Sequence, residues 1–414
     1  MRGLDKRRWM LPILFGLAVL VSLGVWLSRD YTHGPALAAK VNFWSDRRAA
    51  AALQSGFDQA DQAAALAQTA RSADQWDQVV DYWTGAIATL QTVPIQSPER
   101  FFAQRKQQEY LENLAFAQQQ THQLSWPNVF PSLGSAVLNE QLRLYLSYLA
   151  ALGPPDILIV GSSRALQGVD SQQLQIELQK QDYPLRVFNF SVNGATAQVL
   201  NFVLQRVLTA DQLPRLVIWA DGSRAFNSRR VDATFARIIG SPGYQAALAG
   251  EKPGFTDTAP SPRQPSSLNS YGFLPVPAVF EPASFYQRYP RVNGRYDAFY
   301  NPFGLTGLQL GSLRSLVGYL QSRNIDLIYV NLPLSGDYLD EYRLAIERQF
   351  QQFLQTQSQQ LGFTVIDRLS QWVGQNAFFA DPSHLNQTGA AVLAQQLARN
   401  PLVLQKLNQL ENNS

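Results

Sequence analysis

DILIVGSSRALQG, residues 156–168, runs from four consecutive aliphatic residues into a glycine, two serines and an arginine. Ile157, Leu158, Ile159 and Val160 form the short, uninterrupted apolar run expected of a parallel strand buried on both faces. Gly161 permits a tight turn, and Ser162 or Ser163 can then cap the following helix, setting a hydroxyl beside unpaired backbone N–H groups. Serine nucleophiles are often displayed in this way. A serine that only caps fits the same residues, and Gly-Ser-Ser alone leaves both readings open.

More than two hundred residues later, FFADPSHLNQTGAAVLAQQLA (378–398) places Asp381 three residues ahead of His384, in a turn before a helix of small residues. The chain has three histidines. His33 adjoins the N-terminal apolar segment and His122 follows a glutamine run, so His384 is the one set in a motif. An Asp-x-x-His turn lets the carboxylate meet the imidazole of its own loop and fix its tautomer, leaving the other ring nitrogen to accept a serine proton. The competing reading has Asp381 capping the helix and His384 on the surface.

Outward from these motifs, DILIV, LRVFNF, RLVIWA, DLIYVNLPL and FTVIDR read as strands. Between them SQQLQIELQK, TAQVLNFVLQRVL, LQLGSLRSLVGYLQSR and DEYRLAIERQFQQFLQTQSQQ read as helices. The alternation predicts an α/β fold with an open, mainly parallel sheet flanked by helices. Sites in such sheets lie beyond the C-terminal ends of the strands, where all of the motif residues fall.

A serine behind the first strand and Asp-x-x-His before the last helix resemble the SGNH, or GDSL-type, hydrolase and acyltransferase superfamily over about residues 155–400. The resemblance implies a flavodoxin-like three-layer fold and aligns the family's Gly-Asp-Ser block with Gly161-Ser162-Ser163-Arg164. It therefore implies Ser163 as nucleophile, with Ser162 in the aspartate's place, and Asp381 and His384 as its partners. In RVFNFSVNGATA it implies Gly194 as an oxyanion-hole glycine beside the Ser163 N–H. Where the family carries Gly-x-Asn-Asp, this chain departs from it with LVIWADGSRAFN. There Asp221, Gly222, Ser223 and Arg224 occupy the turn, leaving Ser223, Arg224 or the later Asn227 as substitutes for the missing donor; Ser223 is the one assigned to the oxyanion hole. Substrate contacts are assigned to Arg164, Asn193, Asp221, Arg224, Arg291 and Arg295. GSS with DPSHLN also resembles the extracytoplasmic proteins of teichoic-acid D-alanylation and alginate O-acetylation, which implies acyl transfer to envelope polymers.

The 414 residues are 46% hydrophobic and 16% charged, which leaves room for more than one folding unit. There is no cysteine, so disulfides and thiolate metal sites are excluded. A net charge of +3 from 34 basic and 31 acidic residues is too mild to predict nucleic-acid binding. No Gly-x-Gly-x-x-Gly, Walker loop or dense histidine–carboxylate cluster occurs, so neither a cofactor nor a metal is expected.

Residues 9–27, WMLPILFGLAVLVSLGVWL, are nineteen uncharged residues that would span about 28 Å as a helix, close to a bilayer's hydrocarbon core. Arg2, Lys6, Arg7 and Arg8 precede the run, which predicts a single-pass anchor in the plasma (inner) membrane. The N-terminus would then be cytoplasmic and the main domain periplasmic or otherwise extracytoplasmic. A cleaved signal peptide ending near Ala36-Leu37-Ala38 is the alternative.

With residues 1–30 as cytoplasmic tip and anchor, 31–44 are read as a linker and 45–125 as a helical region rich in Ala and Gln. Trp76, Val79, Val80, Trp83, Ala86, Ile87 and Leu90 stripe its first clear helix, and Tyr110, Leu111, Leu114 and Ala115 face it from a second. The pair resembles one tetratricopeptide-type unit, but a single unit reads better as a spacer packed on the catalytic domain or on another copy. Residues 126–154 are expected as a connecting helix, 155–400 as the α/β domain and 401–414 as a tail.

An insertion at about 240–304 breaks the alternation. It begins as a Pro/Ser-rich loop and ends in an aromatic, arginine-rich stretch. There Tyr286, Arg288, Tyr289, Arg291, Arg295 and Tyr296 are candidates to stack on sugars or meet anionic groups, or else simply anchor a solvated loop. Two functional readings follow. One is a membrane-anchored serine esterase or O-acyltransferase that acts on acyl esters of envelope or extracellular glycans, with a membrane O-acyltransferase as a possible partner. The other is a non-enzymatic envelope assembly protein that retains the fold.

Overall fold

The structure is a computed structural model that describes residues 43–94, 97–124, 130–253 and 267–412. The expected anchor and His33 lie outside these residues. Two compact units are distinguished, residues 1–47 and 48–414, and the sheet and site belong to the second. Among the described residues, no helix is long and apolar enough to cross a membrane.

Four helices come first: α1 (Phe43–Thr69), α2 (Ala73–Gln91), α3 (Arg100–Leu124) and α4 (Ala136–Leu152). Ser72 starts α2 with a capping box, its hydroxyl accepting from the Gln75 N–H while the Gln75 side chain accepts from the Ser72 N–H. Every residue of the Trp76-to-Leu90 stripe is buried, as are Tyr110, Leu111, Leu114 and Ala115.

The α/β part opens with β1 (Ile157–Val160), α5 (Ser163–Gly168), α6 (Ser171–Gln179) and β2 (Val187–Asn189). It continues through α7 (Ala197–Phe202), which runs on as a π-turn, then β3 (Leu216–Asp221), α8 (Ala233–Ile239), α9 (Pro242–Leu248) and α10 (Pro282–Arg288). The remaining elements are α11 (Leu308–Gln321), β4 (Asp326–Asn331), α12 (Glu341–Leu361), β5 (Thr364–Asp367), β6 (Phe379–Asp381), β7 (His384–Leu385), α13 (Gln387–Ala398) and α14 (Pro401–Asn412). Residues 401–414 were expected as a tail; most of them instead form α14, held down by buried Val403 and Leu407.

Strands β1 to β5 pair in parallel in the order β2-β1-β3-β4-β5. The order reverses at β1, the position where crossovers leave to opposite faces and open a crevice above the strand ends. Successive side chains divide between the two faces. Leu158, Val160, Val217 and Trp219 enter one core together with residues of α2, α3 and α4, whereas Ile157, Ile159, Ile218 and Ala220 enter another with α6, α13 and α14. The helical region therefore shares its hydrophobic core with one face of the sheet instead of folding as a separate layer.

The turn after β1 is confined by its neighbours. A Cβ at Gly161 would lie 2.1 Å from the carbonyl oxygen of Ala220 and 2.7 Å from Ala165 Cβ. The carbonyl belongs to β3 and cannot yield without disturbing the ladder. Gly161→Ala is therefore expected to cost about 1–3 kcal/mol. Gly311→Ala, on an exposed stretch of α11 with nothing within 4 Å, should gain up to about 1 kcal/mol. Urea unfolding of both variants checks the pair, and equal stabilities would contradict this account of the turn.

Candidate active site

Ser163 is the first residue of α5, directly beyond β1, and its Oγ lies 2.8 Å from Nε2 of His384. On the far side of the imidazole, Nδ1 lies 2.8 Å from Asp381 Oδ2. An ionised carboxylate only accepts, so Nδ1 carries the ring proton and Nε2 is left to accept from the serine hydroxyl.

The Asp381–His384 turn is a small antiparallel pair, β6 with β7, in which the two residues stand opposite each other. Asp381 Oδ1 closes the turn by accepting from the N–H groups of Ser383 and His384 at 2.8 and 3.0 Å. Ser335, in the loop after β4, donates its hydroxyl to the Pro382 carbonyl at 2.8 Å and ties the turn to the sheet. Capping of α13 falls to Asn386, which accepts from Gly389 N–H. Asp381 is thereby free for the imidazole. Burial works to raise the Asp381 pKa, but the hydrogen bond and charge of His384, the Ser383 N–H and the charge of Arg224 outweigh it, holding the carboxyl below its usual range.

The two adjacent serines take different tasks. Ser162 caps α5, accepting from the Arg164 N–H, and gives both its own N–H and its hydroxyl to Asp221 at 2.8 and 2.9 Å. Asp221, at the end of β3, also accepts from the Gly222 N–H at 2.9 Å. Burial pushes its carboxyl up, and the Arg164 charge, the Ser162 hydroxyl and the two N–H groups counter this only in part. Arg164 is buried beneath the turn and donates to the carbonyls of Leu332 and Pro333 at 2.6 and 3.0 Å. A Cβ on Gly222 would lie 1.7 Å from its Nη1, so any larger residue there would have to displace the guanidinium.

Above the triad opens a cleft of about 580 Å³ lined by Ser163, Gly194, Arg224, Arg230, the aromatic stretch of the insertion and the Asp381–His384 turn. Gly194 sits at φ 69°, and a Cβ there would lie 2.5 Å from Thr234 Oγ1. The backbone N–H groups of Ser163 and Gly194 have no acceptor among the described residues, which leaves two donors free for a developing oxyanion.

Several residues expected at the site are placed elsewhere. Ser223 is not an oxyanion donor, because its buried hydroxyl is committed to Glu347 at 2.7 Å. Asn227 is used to hold the carbonyls of Phe299 and Pro302. Arg164 and Asp221 lie beneath the turn and do not face a substrate. Asn193 is exposed outside the cleft lining, with its carbonyl taken by Thr234, and the exposed Arg295 side chain also lies outside the lining. Arg224 and Arg291 do line the cleft.

The sequence reading missed Arg230, Asp297, Asp337, Tyr338 and Arg343, which line it too. They lie in loops or at a helix start with no periodic signal; only the arginine richness around 224–230 hinted at them. Among the described residues, no group of three or more His, Asp or Glu side chains is placed to hold a metal ion.

Fold and site together define a Ser–His–Asp constellation at the C-terminal edge of an open parallel α/β sheet. No protein-family model and no curated protein matches the sequence. Solved structures that are similar include a catalytic mutant of an acetylxylan esterase from Geobacillus stearothermophilus. It is 14% identical, with 59% of this chain and 93% of that one covered at a TM-score of 0.35. A psychrotrophic esterase from Pseudoalteromonas sp. is 15% identical over 62% and 98% of the two chains, with a TM-score of 0.30. A GDSL-like lipase from Bacteroides thetaiotaomicron is 11% identical over 66% and 99%, with a TM-score of 0.32. Chemistry is read from the site's own geometry, not from these likenesses.

The Asp221 network yields a test. Asp221→Ala leaves the Ser162 hydroxyl and the Ser162 and Gly222 N–H groups without their acceptor, at about 1–3 kcal/mol per buried unsatisfied group. A loss of several kcal/mol is expected in urea unfolding, and a change within about 0.5 kcal/mol would show that the network does not hold the turn.

Proposed function

We propose that the protein is a serine esterase or O-acyltransferase that acts on acyl esters of envelope or extracellular glycans, anchored in the membrane through residues 9–27. The observation that carries the chemical part is the unbroken relay from Ser163 Oγ through His384 to Asp381, with both links at 2.8 Å. His384 Nε2 takes the hydroxyl proton as Ser163 Oγ attacks the acyl carbonyl, and the oxyanion falls to the free N–H groups of Ser163 and Gly194. The proton then passes to the departing sugar oxygen, leaving an acyl-serine. Water or a second hydroxyl, deprotonated by the same imidazole, releases the acyl group; the first gives hydrolysis, the second transfer. Tyr286, Tyr296 and Phe299 on the cleft wall offer apolar faces to sugar rings.

A second reading, a scaffold without catalysis, draws support from the third strand's turn, where neither Ser223 nor Asn227 is left to donate to an oxyanion. A fluorophosphonate probe separates the two, because only a serine with a base reacts. The detergent-solubilised full chain should be labelled. Ser163→Ala and His384→Ala should abolish labelling, Asp381→Ala slow it by orders of magnitude without removing it, and Ser162→Ala weaken it. A folded wild type inert to the probe and to short acyl esters would leave the scaffold reading.

The membrane part rests on residues 9–27 and the basic flank before them. Protease added outside spheroplasts should digest the chain beyond about residue 30. Protection of residues 155–400 would refute export, and a mature N-terminus near Ala39 would replace the anchor by a cleaved signal.

A further inference from the structure

Gly194 lines the cleft from a turn that the sheet holds on one side only. On that side the N–H groups of Phe190 and Val192 donate to the carbonyls of Ile159 and Gly161 at 2.7 and 3.0 Å, which fixes the chain leaving β2 against the nucleophile turn. At the tip Gly194 sits at φ 69°. Glycine enters this region at little cost and leaves it as readily, so nothing in the residue itself fixes the peptide plane that carries its N–H.

The other side is held from the insertion wall. Thr196 stands at the N-cap of α7 with extended backbone, yet its hydroxyl does not cap that helix. It is buried and donates instead to Asp232 Oδ2. Asp232 Oδ1 accepts from the Phe235 N–H at 2.8 Å, so the carboxylate starts α8 with one oxygen and grips the Gly194 turn with the other. Two residues on, Thr234 donates its hydroxyl to the Asn193 carbonyl at 3.4 Å.

The cap that Thr196 gives up is supplied from α11. The Gln198 N–H donates to Gln309 Oε1 at 3.0 Å, and Gln309 Nε2 returns a bond to Gln198 Oε1 at 3.1 Å. Helix α7 would be served as well by its own threonine, so the exchange benefits the turn that precedes it.

Attack by a serine builds charge on the acyl carbonyl oxygen, and N–H donors lower that barrier only if they already point at it. We propose that Asp232 is a positioning residue for the oxyanion hole, its carboxylate holding the Thr196 hydroxyl so that the Gly194 N–H stays aimed beside Ser163. This rests on the esterase or acyltransferase reading above and adds to it a residue outside the cleft lining. The bond is charge-assisted and its donor is buried, which makes it stronger than a neutral contact between loops.

The test measures hydrolysis of p-nitrophenyl acetate by the full chain and its affinity for methylboronic acid, whose tetrahedral adduct on a serine sets an oxygen where the oxyanion forms. A misplacement of about 1 Å costs on the order of 100-fold, and a lost oxyanion donor about 100- to 1000-fold. Thr196→Val and Asp232→Ala are therefore each expected to lower kcat by about 10- to 100-fold with KM near the wild-type value, and to weaken the boronic acid by a similar factor. Thr196→Ser and Asp232→Asn, which keep a donor and an acceptor, should recover most of both. The double variant should be little worse than either single one, since both break the same bond. A loss of folded protein alone would lower the yield of active enzyme without weakening the transition-state analogue.

Unchanged kcat and boronic acid affinity in Thr196→Val would overturn the proposal, as would a rise in KM alone or losses that simply add in the double variant; none of these touches the esterase reading. If the wild-type chain cleaves no ester, that reading fails on its own account, and amide hydrogen exchange over residues 190–200 decides whether Asp232 holds the turn. Faster exchange there in Thr196→Val and Asp232→Ala, restored in Thr196→Ser, supports it, and exchange like the wild type overturns it.

Discussion

The carboxylate of Asp221 is the point on which the site depends. It stands where β3 ends and collects the N–H and hydroxyl of Ser162 and the N–H of Gly222, binding the turn after β1 to the turn after β3. With Ser162 held down in this way, Ser163 is the serine left to face His384. Arg164 completes the arrangement from below, fastening the same turn to the carbonyls that follow β4. Three neighbouring strand ends are thus linked by buried, charge-assisted hydrogen bonds, which stay strong because water does not reach them. Ser162 brings no charge of its own to the turn, and the acid that the turn leans on arrives from the adjacent strand.

That linkage matters because the nucleophile and its base are 221 residues apart in the chain. Parallel pairing in the order β2-β1-β3-β4-β5 sets all the turns that leave the strands' C-terminal ends on one edge, and the Asp381–His384 hairpin is fastened to this edge by Ser335. The sheet is held from both sides. Helices α2 to α4 extend the core on one face, while α6, α13 and α14 pack the other, so the helical region near the N-terminus contributes to the rigidity of the strands that carry the site. Preorganisation of this kind is what a serine needs to meet its base at hydrogen-bonding distance before any substrate arrives.

The insertion after β3 supplies the other wall. Buried Tyr300 bonds to Glu347, Asn227 holds the carbonyls of Phe299 and Pro302, and Arg343 binds Asp297 and Asp340. These anchors make a composition that reads as a solvated loop into a structured rim, with Tyr289 and Tyr296 still exposed upon it. Arg291 and Arg343 serve the rim's own architecture through Asp337, Asp297 and Asp340.

Much of this was readable in the residues themselves. Strand-length aliphatic runs, helical stripes and a turn glycine are local properties, set by backbone sterics and by the need to bury apolar faces. All five parallel strands and the Trp76-to-Leu90 stripe accordingly lie where periodicity puts them. The Asp381–His384 pairing was legible for the same reason, since both residues sit in one short turn. What folding alone decided is which way the side chains beyond the strand ends face. Ser162 or Ser163 as the serine facing the imidazole, Arg164 and Asp221 beneath the turn instead of above it, Ser223 drawn to Glu347 and Arg230 brought beside Arg224 all depend on neighbours from distant parts of the chain. Local periodicity carries no information about those neighbours, because hydrogen-bond partners across a parallel sheet are chosen by strand order and by the packing of the loops that follow it.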